Sequence, residues 1–139
     1  GALPLLKRPF LLSHTGLTDI AGRTSRWRRY SAATRNVPAA LATEIGRRGG
    51  LVGVALATQL LGGDDLDTAS QTIKAALRAA GGANVALGSD MDGALRTVVD
   101  AEGLPALADA LLRAGLTEAE VAGFMGGNAA RFLGSTLPA

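Results

Sequence analysis

Apolar residues in this chain fall into two rhythms. Short, nearly continuous runs occur at Pro9-Phe10-Leu11-Leu12-Ser13-His14, at Leu51-Val52-Gly53-Val54-Ala55-Leu56 and from Asn84 to about Gly88. Runs of that length between turn signals read as strands buried on both faces. The longer stretches between them repeat at helical spacing. Asn36 can cap a helix that has Pro38 in its first turn and Leu41 and Ile45 on one face, ending at Gly49-Gly50. Asp67 or Thr68, with Gln71 following, opens a helix that carries Ile73, Ala76, Leu77 and Ala80 inward and closes at Gly81-Gly82. Leu104 to Ala114 is helical with Leu107, Leu111 and Leu112 inward, and Gly115 ends it. Thr117 and Glu120 form a capping box for Glu118 to Met125, and Gly126-Gly127 sets off a last turn around Asn128 to Leu133.

Strands alternating with helices are the order of βαβ units, so the expected class is α/β with parallel strands. A parallel sheet of about three strands leaves two open edges and cannot close on itself. Residues 1–139 therefore read as a single partial domain that wants further strands beside it.

Composition narrows the function. The chain is 47% hydrophobic with 19 glycines, enough for a real core, yet no apolar stretch approaches the roughly 18 residues of a membrane helix. The start, Gly1 to Pro9, lacks the charged-then-apolar order of a signal peptide. Cysteine is absent, which excludes disulfides and thiolate metal sites while leaving the compartment open between cytoplasm and periplasm. Net charge is +2 but uneven: residues 1–50 hold nine Lys/Arg against Asp19 and Glu44, whereas residues 51–139 hold five against ten acids. The basic half can attract an anionic ligand.

Three places can carry chemistry. Gly88-Ser89-Asp90-Met91-Asp92-Gly93 puts two carboxylates just past the third strand, where open sheets and barrels gather their catalytic groups. Asp90, nearer the strand, is the candidate for the crevice; the alternative is a turn in which the acids cap and Gly93 supplies a positive φ. His14, the single histidine, ends its own strand at the same side of a parallel sheet. It is either a hydrogen-bonded structural residue or a partner to Asp90 as metal ligand or base. Arg23, Arg26, Arg28, Arg29 and Arg35 surround Trp27 and Tyr30. Such a segment suits nucleic acid through phosphate contacts and stacking, but no groove-entering helix accompanies it, and a basic active-site loop is the preferred reading, with no nucleic-acid partner. Within it Arg35 suits a carboxylate, which a guanidinium holds with two parallel hydrogen bonds.

The order of these pieces is specific. Ser13-His14-Thr15, Thr34-Arg35-Asn36-Val37-Pro38, Gly49 to Val54, Gly88 to Gly93, Gly115 to Val121 and Gly126 to Arg131 together resemble the carboxyl-terminal part of the membrane (renal) dipeptidase family, from about Pro9 to Phe132. The resemblance implies strands six to eight of a TIM (β/α)8 metal-dependent hydrolase barrel, incomplete in this chain. It implies a two-zinc site where a metal-bridging water hydrolyses a dipeptide substrate. In that scheme His14 resembles the family's histidine ligand, Arg35 the arginine that holds the substrate carboxylate, and Asp90 the acid that handles the proton. The family's His-x-Asp pair, bridging glutamate and second histidine have no counterpart here, and the aromatic and amide residues that renal enzymes place after the seventh strand are absent around Ala55 to Gln59. The isolated chain is accordingly expected to be inactive, and the missing barrel half or a homo-oligomer partner is expected to complete it. A noncatalytic interaction module using the open edges is the alternative.

Overall fold

A computed structural model describes residues 7–21 and 35–137. In chain order the elements are β1 (Leu11–Thr15), α1 (Thr18–Ala21), α2 (Ala39–Arg47), β2 (Leu51–Val54), α3 (Thr58–Leu61), α4 (Leu66–Ala80), β3 (Val85–Leu87), α5 (Leu104–Arg113), α6 (Glu118–Ala122) and α7 (Asn128–Thr136). The strands form one parallel sheet in the order β1-β2-β3, as the alternating pattern requires.

The centre of the sheet is the core. All four residues of β2 are buried, and Val85 and Ala86 of β3 are buried beside them. Ile45 of α2, Ile73, Ala76 and Leu77 of α4, and Leu107 and Leu111 of α5 pack into the same cluster with Phe124. Gly46 sets how closely α2 and α4 meet, since a Cβ there would overlap the backbone of Ala80. At the amino ends of the strands Asn128, buried, donates from Nδ2 to the carbonyls of Gly82 and Val85 at 2.7 Å each. Arg131 donates to Ala83 O at 2.7 Å and to Asn128 Oδ1 at 2.8 Å, so α7 is stapled to the turn that starts β3. Sheet ends of this kind serve stability in α/β barrels.

Several expectations shift in detail. The helix beginning after Gly63 is capped by Asp65, whose side chain accepts from Thr68 N, because Asp65 sits extended just before the first helical residue and Asp67 already lies in the first turn. Leu112 is 40% exposed rather than inward, since Leu107, Ala110 and Leu111 already fill the inner face of α5. The box of Thr117 and Glu120 forms as expected, but α6 ends at Ala122 and gives way to a kinked segment, Gly123–Gly127. The strands are expected to be buried on both faces, and the central β2 is so throughout, but on β1 only Thr15 is buried and Leu11 is 46% exposed, because among the described residues nothing covers that edge. No helix of the described residues is long and apolar enough to cross a membrane.

Candidate active site at the carboxyl ends of the strands

β1 does not run straight to its end. Leu11 and Leu12 pair with Leu51 and Val52, but the next partners are Thr15 and Val54, so the register slips across Ser13 and His14. An extra residue in one strand bends it and re-aims its side chains, a device common beside active sites. Gly53 on β2 and Gly88 just past β3 make room for it. A Cβ at Gly53 would overlap the Ser13 carbonyl oxygen and lie 2.7 Å from its carbon, and a Cβ at Gly88 would overlap the same oxygen. The Ser13 carbonyl thus lies where side chains at positions 53 and 88 would otherwise stand.

His14, half-buried, sits in this bulge with Nδ1 2.8 Å from Ser13 Oγ. In the tautomer that carries its hydrogen on Nδ1, the ring donates to the serine and leaves the Nε2 lone pair for a ligand.

Asp90 lies three residues beyond Leu87 and is also half-buried. The path to it is fixed by Gly88 N–H donating to Val54 O and Leu56 N–H donating to Ser89 O, both at 2.9 Å. The loop that follows returns to the continuation of β2, with Thr58 N–H donating to Arg96 O at 2.9 Å and Val98 N–H donating to Leu56 O at 3.0 Å. Asp90 itself adopts φ 62°, a left-handed conformation that an aspartate tolerates at a cost. The alternative turn reading puts a positive φ on Gly93, whereas the positive φ values here fall on Asp90 and Ala94. Gly93 is needed for space: a Cβ there would stand 2.5 Å from Asp90 Oδ1. Asp92 is exposed.

Arg35 is exposed, and its backbone is drawn to the end of β1 by Thr15 Oγ1, which donates to Arg35 O at 3.1 Å. The next residue, Asn36, does not cap α2 as its position suggested. Pro38 occupies the N-cap, Asp19 Oδ2 accepts from Ala39 N at 3.2 Å, and the Asn36 side chain turns inward to Gly16 and Leu60. The arginine cluster Arg23, Arg26, Arg28 and Arg29, with Trp27 and Tyr30, lies outside the described residues.

The fold therefore gathers the backbone positions of His14, Arg35 and Asp90 at one end of the sheet, while no hydrogen bond or ion pair among the described residues joins their side chains. It does not assemble a complete metal site: among the described residues no group of three or more His, Cys, Asp or Glu could hold an ion. A catalytic zinc takes about three protein ligands plus water, so one imidazole and one carboxylate do not fit a two-ion centre by themselves. Sequence reasoning passed over Thr15, Gly53, Gly88 and the inward role of Asn36. A glycine inside a strand pattern, as at Gly53, is the signal that could have found the bulge.

Comparison with known proteins gives this end of the sheet a context. Residues 3–137 match the family described as membrane dipeptidase (peptidase family M19). Among solved structures, a metallopeptidase from Rhodobacter sphaeroides liganded with a phosphinate mimic of the dipeptide L-Ala-D-Ala is similar at 23% identity and TM-score 0.81, over 96% of this chain and 38% of that one. A metallopeptidase described as dipeptidase AC matches at 24% identity and TM-score 0.79, over 94% of this chain and 37% of that one. An amidohydrolase from Pseudomonas aeruginosa matches at 21% identity and TM-score 0.71, over 91% of this chain and 45% of that one. At these identities the likeness shows the fold alone: a parallel three-stranded sheet with its helices. The chain spans less than half the length of each. No curated protein matches significantly.

Proposed function

Because the chain belongs to the membrane dipeptidase family, we propose that it supplies the carboxyl-terminal share of a site for zinc-dependent hydrolysis of dipeptides. Asp90 takes the proton of the attacking water and returns it to the leaving amine. Arg35 holds the free carboxylate of the dipeptide with its guanidinium. His14 would offer Nε2 as one ligand of a two-zinc centre, with the remaining ligands supplied by other strands of a complete barrel. The observation that supports the reading is that these three positions lie at one end of the sheet, each fixed by a separate local device. Aspartate is an effective proton carrier when it is placed within hydrogen-bond reach and held there, and the bonded path through Gly88 and Ser89 serves that purpose.

The exposed edge at Leu11 supports the need for added strands, from the remaining barrel or from a second copy. It equally suits a noncatalytic module that binds a partner along that edge, and catalysis discriminates the two. In the barrel assembled with its missing strands, Asp90→Asn should lower kcat on a dipeptide by roughly 100- to 10,000-fold, and His14→Ala should reduce bound zinc. An assembled barrel that binds its partner strands yet hydrolyses no dipeptide would support the module instead.

A further inference from the structure

The segment Arg35-Asn36-Val37 is tied to the exits of β1 and β2 more firmly than a surface loop requires. Asn36 is 8% exposed. Its Oδ1 accepts from Gly16 N–H at 3.0 Å and its Nδ2 donates to Leu60 O at 2.7 Å, so one amide bridges the loops after two strands. Gly16 is the residue type that permits this, because a Cβ there would overlap Leu60 O and lie 2.7 Å from both polar atoms of the Asn36 amide. Val37 N–H then donates to Gly16 O, and Thr18 N–H to Val37 O, each at 3.1 Å. On the other side of Asn36, the Thr15 hydroxyl, itself buried, lies 3.1 Å from Arg35 O and 3.1 Å from Gly16 O and shares its one hydrogen between them, so it ties Arg35 to the exit of β1.

The backbone immediately around Arg35 is thus anchored on its own carbonyl and on the next two residues, while the guanidinium has no partner among the described residues. A long cationic side chain that must meet a carboxylate with two parallel bonds loses less rotamer entropy, and meets it in better register, when its Cα is fixed. An apolar residue in place of Asn36 would fill the space but leave Gly16 N–H and Leu60 C=O unpaired in a buried setting.

We infer that Asn36, assisted by Thr15, is a positioning residue for carboxylate recognition: it fixes the backbone from which Arg35 reaches the substrate's terminal carboxylate. The inference rests on the role proposed for Arg35. The carboxylate-bearing substrate should therefore feel changes at Asn36 and Thr15 that a substrate lacking this group does not.

The test uses the assembled barrel and two substrates, a dipeptide and the same dipeptide as its carboxamide. Asn36→Ala should raise KM for the dipeptide about tenfold, and Thr15→Val about threefold, with kcat little changed, magnitudes typical of a misplaced binding group. The carboxamide should be cleaved as by the unaltered protein, so the preference for a free carboxylate falls by the same factors. Thr15→Ser, which keeps the hydroxyl, should retain that preference. If Asn36→Ala fails to fold, Thr15→Val carries the test, being nearly isosteric. Equal losses on both substrates would mean a general structural role and would overturn the inference. Arg35→Ala separates the two levels. If it abolishes the preference while Asn36→Ala and Thr15→Val leave it intact, the positioning role alone fails. If Arg35→Ala leaves the preference untouched, the reading of Arg35 fails, and this inference with it.

Discussion

Gly53→Ala is the sharpest test of how the sheet makes its site. The added methyl would overlap the Ser13 carbonyl oxygen, lie 2.7 Å from the Ser13 carbonyl carbon and stand 3.2 Å from Leu12 O. Nonbonded carbons rest about 3.5–4.0 Å apart, so β1 must retreat by about 1 Å or lose its bulge. The atoms that would have to give are backbone, held in a parallel ladder with β2. Overpacking costs about 1–3 kcal/mol in general, and a backbone clash at the sheet centre belongs at about 3. At roughly 2–4 °C per kcal/mol for a domain of this size, the melting temperature should fall by about 6–12 °C. Urea and thermal unfolding followed by circular dichroism give both numbers. Gly134→Ala is the matched control, since Gly134 lies in α7 with nothing within 4 Å of its added Cβ. There the same methyl should stabilise by about 0.5–1 kcal/mol through helix propensity. A Gly53→Ala protein within about 0.5 kcal/mol of the unaltered chain, the ordinary range of surface changes, would refute the close approach and with it the account of how His14 is turned.

Two further outcomes follow from groups away from the site. Ser70 is 1% exposed and its hydroxyl has no hydrogen-bond partner among the described residues, so Ser70→Ala should leave stability unchanged or raise it by about 1 kcal/mol in urea unfolding. A clear loss would show that the hydroxyl is satisfied. Glu44 is bonded to Arg47 at 2.8 Å and to Arg48 at 2.6 Å, and those hydrogen bonds hold its carboxyl down to about 2 from the usual 4.5. Its pKa is lower folded than unfolded, so the contribution is full above about pH 4.5 and is lost as pH falls toward 2. The Glu44 carboxyl should titrate in that low range by NMR and move upward in high salt, because the group is exposed and screened; a midpoint that stays at the ordinary value in low salt would contradict the pairing.

The parts of this protein written in local chemistry were readable from its sequence, and the parts decided by a neighbour across space were not. Continuous apolar runs announced β2 and β3, and the parallel order followed from the helices between them. The Thr117 and Glu120 box needed only residues three apart, and it formed. Asn36 looked like a cap because it precedes a helix, but Asp19, far away in sequence, satisfied Ala39 N and the Asn36 amide went to Gly16 and Leu60 instead. Gly93 looked like the left-handed residue of its turn, whereas the return of the loop to Leu56 and Thr58 put that conformation on Asp90. The bulge at Ser13 and His14 is invisible in β1 taken alone. Gly53 on β2 and Gly88 just past β3 leave the room for it, and only the register brings them together.

We propose that this chain carries only part of a two-zinc dipeptidase site. Calorimetric titration of the 139-residue chain with zinc, coupled to a dipeptide hydrolysis assay on the same sample, tests it most directly. Weak binding at most and no turnover are expected, because His14, even with Asp90 counted beside it, supplies too few ligands for either ion. Tight binding of two ions with hydrolysis by this chain alone would contradict it.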